Sequence, residues 1–287
     1  MEENRKRHEI INAPYNPVTG LGAVGERKKI SIKDSPIGDM YLPVELIKEN
    51  LFIRRLAKYG FKGYIIRFIK EVEYSEEALN QLWIEFIKYR IIYDFEYWAY
   101  SFIFIKDKVS PKDIPFKLNR AQRRVLNKLE KLRKAGKPIK FILLKARQWG
   151  GSTLVQIYML WIMLVHRRNW NTVICGDVET QSRNVRAMIT KALNKYPSYL
   201  LGETVKFTPF EGSSKNKVIQ NTNCVVSIGS FQKPDTLRSG DISGAHLTEI
   251  GLWRATPGKK PEDLIQSISG SIYDTCLLYT SDAADDK

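Results

Sequence analysis

FILLKARQWGGSTLV, residues Phe141 to Val155, reads as a short apolar strand, a turn with paired glycines and the start of an apolar helix. Elements in that order form a phosphate-binding loop, because backbone N–H groups at a turn and at a helix N-terminus point at an anion where the helix dipole favours it. The expected ligand is a nucleoside triphosphate. Against the pattern G-x-x-x-x-G-K-[ST], Gly150 and Ser152 hold the second glycine and the hydroxyl, while Lys145 stands at the first glycine and Gly151 at the lysine. Lysine and glycine have traded places. Lys145 can still reach β- and γ-phosphates, since its stem is long and its ammonium acts as a mobile point charge. Arg147, in mid-loop, brings a planar guanidinium towards γ-phosphoryl oxygens from within the same chain. Ser152 is the expected Mg²⁺ ligand, with Thr153 beside it. On spacing alone, a strand–turn–helix with a basic surface loop fits equally well.

Upstream of this stretch lies a basic helix between Lys112 and Lys140, with Asn119 as its cap and Ala121, Val125, Leu129 and Leu132 on one face; Gly136 and Pro138 end it. Arg120, Arg123, Arg124, Lys128, Lys131, Arg133 and Lys134 cover the rest, a run that reads first as a solvated face. Gln122 precedes the strand by about twenty residues, and a glutamine amide pairs with the N6 and N7 edge of adenine. Downstream, Asn171–Cys175 and Cys224–Ser230 are short strands, Gly176–Leu193 is a turn and helix, and Lys206–Val218 is polar and loop-like. Gly244–Trp253, GAHLTEIGLW, is a short apolar strand ending in an acid, the element that phosphate-loop motors place beside Mg²⁺ and the attacking water. Thr248 stands where such motors carry a magnesium-binding aspartate, and Glu249 is the acid. Glu249 can orient water as a general base, whereas Thr248 reaches Mg²⁺ only through a water.

A chain of 287 residues with a formal charge of +15 has ample core-forming length and calls for a polyanionic partner, nucleic acid first. Cys175, Cys224 and Cys276, like His8, His166 and His246, are scattered too widely for a metal site or a disulfide framework, which suits a reducing cytosol. No signal peptide follows the charged MEENRKRHE start, and the longest apolar run, Leu154–Val165, is too short to span a bilayer and reads as a buried helix. Residues 1–42, punctuated by Pro and Gly, read as an extended arm with little core of its own. Residues 43–110 read as a helical region: Pro43 opens one helix, and Ser75 caps another whose Leu79, Leu82, Trp83, Phe86, Ile87 and Ile91 share a face. The aromatic stretch DFEYWAYSFIFI, Asp94 to Ile105, reads as core. Alternating strands and helices from Ile139 define an α/β fold class, a P-loop NTPase core with a parallel sheet flanked by helices, over residues 111–275. CLLYTSDAADDK, Cys276 to Lys287, closely resembles translated sequencing adapter and is set aside as an artefactual tail, the natural chain being expected to continue past Thr275. Without its three aspartates and one lysine the charge rises by two.

Taken together, PFKLNRAQ, KARQWGGST and LRSGDISGAHLTEIGLW, in this order and spacing, resemble the large subunit of the terminase of tailed bacteriophages. The resemblance covers roughly Asp94 to Ile272. It implies an N-terminal ATPase that uses ATP with Mg²⁺ to move double-stranded DNA into a procapsid, followed by a nuclease domain that would lie beyond this fragment. Gln122 then resembles the adenine-reading glutamine, Lys145 a displaced loop lysine and Arg147 a cis-arginine. Ala146, Gln148, Trp149, Gly150, Gly151, Ser152 and Thr153 complete the ATP-binding loop, and Glu249 resembles the catalytic carboxylate. Gly151 and Thr248 depart from the strictest pattern, and neither the Ser/Thr-rich coupling segment nor the acidic nuclease cluster is visible before Thr275. A portal protein, a small terminase subunit, a homo-oligomeric ring and the cytoplasm of an infected bacterial host are what the resemblance implies, with no membrane involved. Two alternatives stay open: another ATP-driven nucleic-acid motor such as a helicase, and a non-catalytic nucleic-acid-binding protein with a degenerate loop.

Overall fold

In the computed structural model, which describes residues 14–69, 75–107, 110–145, 149–233, 242–272 and 277–283, two units are distinguished. One is built from the described residues up to Ile103 together with Ile114–Arg120, the other from Phe104–Asp113 together with the described residues from Ala121 onward.

In the first unit, β1 (Arg27–Ser31) and β2 (Asp39–Pro43) form an antiparallel hairpin, with Arg27 opposite Pro43 and Ser31 opposite Asp39. Ile32, Met40 and Leu42 are buried. From Pro14 on, the stretch expected to be an extended arm with little core is therefore hairpin and turns with core residues of its own. Five-residue strands between tight turns carry too few apolar positions to register as a period in sequence. Helices α1 (Val44–Glu49), α2 (Leu51–Phe68), α3 (Glu76–Tyr93) and α4 (Phe95–Phe102) follow. Their starts are capped as the side chains dictate: Asn50 accepts from Ile53 N, Ser75 from Ala78 N and Asp94 from Tyr97 N. Trp83 and Phe86 stack at 4.9 Å and both meet Phe61, so the aromatic residues here are core, as the sequence indicates.

Asp94 is the centre of a buried charge cluster. Arg27 donates to both its carboxylate oxygens, at 2.9 and 3.0 Å, and Arg90 Nε donates to Oδ2 at 3.1 Å while its guanidinium lies 3.7 Å from the Tyr97 ring centroid. Burial opposes the charge on Asp94, but Arg27 and Arg90 outweigh it and hold the carboxyl below its usual range.

Two short strands, β3 (Phe104–Lys106) and β4 (Asp113–Pro115), fall where the chain passes between units. In the second unit, α5 (Arg120–Lys134) starts directly after Asn119 and ends at Gly136, whose φ of 62° only glycine adopts readily. The chain then builds β5 (Ile139–Lys145), α6 (Gly151–Trp161), β6 (Thr172–Gly176), α7 (Glu179–Asn194), β7 (Phe207–Phe210), β8 (Ser213–Ile219), β9 (Cys224–Ser230), β10 (Gly244–Thr248), α8 (Pro261–Ser271) and β11 (Leu277–Ala283). The strands form one seven-stranded sheet in the order β5-β11-β10-β6-β9-β8-β7. From β5 to β9 all pairs are parallel, and β8 and β7 are added antiparallel.

One feature departs from expectation. Lys206–Val218, expected as a polar loop, is the hairpin β7–β8: Glu211 and Gly212, at φ 47° and 75°, make its turn, and β8, polar from Ser213 to Lys217, escapes notice because an edge hairpin needs little apolar character. Leu277–Ala283, set aside as foreign, runs parallel between β5 and β10. With β5 at the sheet edge, Ile142 and Leu144 are 85% and 75% exposed, so only one face of this strand is covered.

Alternation along β10 sorts the layers. Ala245 and Leu247 pack with Leu264 and Ile268 of α8, while His246 meets Gln156 of α6 on the opposite face. Every residue of α6 from Leu154 to Trp161 is buried, which matches the reading of Leu154–Val165 as a buried helix. The helix ends in a π turn, Ile162–His166, closed by Arg167 N donating to Ile162 O. Tyr158 Oη and Arg133 Nε both donate to Glu130 Oε1, at 2.7 and 2.8 Å, tying α6 to α5. The His166 ring stands edge-on to Trp161 at 4.3 Å, and burial, with Arg133 adding, lowers its pKa to about 4. Between about pH 6.5 and pH 4 the unfolded chain therefore binds a proton that the folded chain does not, and stability falls as pH falls. The expected loss from His166 is about 3 kcal/mol between pH 7 and pH 4. Denaturant titrations at the two pH values should find that His166→Phe removes a loss of this size.

Candidate active site

β5 delivers the chain to the carboxyl edge of the parallel strands, and α6 starts from Gly150. Gly150 is left-handed, φ 83° and ψ 25°, and a Cβ there would stand 2.7 Å from Gln122 Nε2. The positive φ favours glycine, and any side chain would also displace the Gln122 amide. Gly150, the residue before α6, has no side chain with which to cap it, and the N–H groups of a helix's first turn are those an anion can complete. Gln122, buried on α5, donates from Nε2 to Gly150 O at 2.9 Å and so braces the turn from below. Gly151 is buried and Ser152 half-buried, while Thr153 Oγ1 points to Met188 Sδ on α7 at 3.7 Å. Lys145 is the last residue of β5 by its backbone. Its side chain, with Ala146, Arg147 and Gln148, lies outside the described residues.

The second half of the site ends β10. Ser281 of β11 pairs with Leu143 on one side and Thr248 on the other, so one strand separates the end of β5 from the end of β10. At sheet spacing that is about 10 Å between backbones. Glu249 follows at φ 56° and ψ 44°, a left-handed conformation costing a non-glycine residue about 1 kcal/mol or more. Its Oε2 accepts from Gln181 Nε2 at 3.0 Å. Thr248 is 4% exposed and, by alternation from His246, faces the α6 side of the sheet. On that face Gln156 Nε2 lies 2.6 Å from His246 Nδ1, both residues fully buried.

Gln122, the glycine turn, Ser152, Thr248 and Glu249, chosen from sequence, thus belong to one sheet edge and the two elements that feed it. Gln181, Gln156 and His246 escaped the sequence reading. A lone amide inside the apolar run LVQIYML is a visible signal for Gln156, whereas Gln181 sits in an ordinary polar helix start. Among the described residues no group of three or more His, Cys, Asp or Glu is placed to hold a metal. Among them, too, no helix is long and apolar enough to cross a membrane.

A mixed sheet flanked by helices has counterparts among solved structures. The HK97 bacteriophage large terminase is similar with a TM-score of 0.52 and 20% identity, over 66% of this chain and 36% of that one. The large terminase of a thermophilic bacteriophage follows with a TM-score of 0.43 and 13% identity, over 58% and 39%; its complex with ADP gives 0.40 and 14%, over 57% and 38%. This chain spans little more than a third of the length of these proteins. At such identity the likeness to the HK97 protein is one of fold. No protein-family model and no curated protein matches the chain.

Proposed function

We propose that this chain is the ATPase portion of a phage terminase large subunit, a P-loop NTPase that hydrolyses ATP to drive double-stranded DNA into a procapsid. The observation that carries this reading is Gly150 at the start of α6, braced by Gln122, in the same sheet unit whose strand β10 ends at Glu249. The terminase fold supports it. In this reading the backbone N–H groups of Gly150 to Thr153 and the ammonium of Lys145 hold the phosphates, and Arg147 contacts the γ-phosphoryl oxygens. Gln122 reads adenine at N6 and N7, exchanging its bond to Gly150 O for the base. Glu249 accepts a proton from the attacking water, which displaces ADP in line. Mg²⁺, held by Ser152 Oγ and the nucleotide with Thr248 reached through a water, would neutralise charge on the β- and γ-oxygens.

DNA is proposed to run over the exposed face of α5, where Arg124, Lys128 and Lys131 lie at i, i+4 and i+7. Portal protein, small subunit, a ring of copies and the host cytoplasm belong to the same proposal, as does a foreign origin for residues 276–287. Phosphate release from ATP by the purified chain, with and without duplex DNA, tests it. Hydrolysis that DNA stimulates, with stimulation falling steeply as salt rises, is expected. ATP binding without DNA dependence would favour a different phosphate-loop enzyme. Lys145→Ala is expected to weaken ATP binding by about tenfold or more in calorimetry, since it removes one of the loop's two cations; unchanged affinity would remove Lys145 from the site.

A further inference from the structure

Gln181 lies in the first turn of α7, outside the loop and outside the acid-ended strand, and its amide spans two groups. Oε1 accepts from Asp177 N at 2.9 Å and Nε2 donates to Glu249 Oε2 at 3.0 Å. The orientation of the amide is fixed by chemistry: a backbone N–H only donates, so the oxygen must face Asp177 and the NH₂ must face the carboxylate. The start of α7 is itself pinned to the sheet. Ser182 Oγ accepts from Gly176 N at 2.8 Å and donates to Gly229 O at 2.6 Å, joining the ends of β6 and β9. Gly176 leaves the room that Gln181 occupies, since a Cβ there would come within 2.9 Å of Gln181 Oε1 and 3.0 Å of its Cβ.

We propose that Gln181 is the positioning residue of Glu249, holding Oε2 from the rigid end of β6 so that Oε1 is aimed at the attacking water. This rests on Glu249 being the general base. Glu249 leaves β10 in a left-handed turn, and the Gln181 amide restrains its side chain there. The same bond links the helix after β6 to the acid after β10, so a shift of α7 would change the aim of the base.

Phosphate release and melting at pH 7 of the full chain test this in the wild type, Gln181→Met, Gln181→Glu, Glu249→Gln and the double variant Gln181→Glu/Glu249→Gln. Gln181→Met keeps the volume and loses both bonds; kcat is expected to fall about ten- to a hundredfold with KM for ATP within about twofold. Gln181→Glu keeps the acceptor for Asp177 N–H but sets a carboxylate against Glu249. It should melt below wild type and move the acid limb of the kcat profile to higher pH. A purely structural amide would move neither the limb nor the ratio of kcat to KM. Adding Glu249→Gln exchanges donor and acceptor across the contact and should restore the melting point without restoring turnover. Wild-type or raised kcat in Gln181→Met, while Glu249→Gln is dead, overturns the positioning role alone. If the wild type does not hydrolyse ATP, or Glu249→Gln still turns over, the assignment of Glu249 fails instead, and a double variant with no recovery of melting overturns the contact as well.

Discussion

Glu249→Gln is expected to leave ATP affinity within a few-fold of wild type and to lower turnover by about 10²- to 10⁴-fold, the range a general base contributes. The substitution is isosteric, and its amide oxygen still accepts from Gln181 Nε2, so the left-handed turn after β10 and the bridge to α7 are preserved. Only the capacity to take a proton from water is lost. Binding read by calorimetry and turnover read by phosphate release separate the two effects. Turnover near wild type would place the base elsewhere on the sheet edge.

Asp94→Asn is expected to destabilise the first unit by about 3–5 kcal/mol, the cost of leaving buried charge without its partner. Arg27 and Arg90 would then hold two guanidinium charges against a neutral amide, Arg90 with no side-chain exposure at all. The amide also loses part of the cap that Asp94 provides to Tyr97 N. Denaturant unfolding followed by tryptophan fluorescence reports this unit through Trp83 and Trp98. A loss under about 1 kcal/mol would mean that the cluster is hydrated and that its charges are only weakly coupled.

The sequence made some of this legible and hid the rest for physical reasons. Ser75 announced its helix because a hydroxyl followed by two glutamates and a periodic apolar face is a local signal, and local signals survive in isolation. The glycine turn was legible because only glycine adopts a left-handed conformation such as that of Gly150 without cost. Arg27, Arg90 and Asp94 were not, since three charges at positions 27, 90 and 94 become a cluster only when the hairpin is laid against α3 and α4. Gln181 was hidden for the same reason, 68 residues from the carboxylate it holds. The β7–β8 hairpin was missed because β8 is polar from Ser213 to Lys217 and buries only its end, Val218 and Ile219, so its alternation carries little hydrophobic contrast.

The most direct test of the central claim, that the turn before α6 is a nucleotide-phosphate site, is the melting temperature of the whole chain with and without ATP and Mg²⁺. At ATP a hundredfold above Kd, binding to the folded state alone adds about 2.7 kcal/mol, a rise of about 5–10 °C for a domain of this size. That rise is expected in the wild type, and its loss in Lys145→Ala. A melting curve unmoved by millimolar ATP with Mg²⁺ would contradict the claim, leaving a basic strand–turn–helix that keeps the terminase fold without its nucleotide.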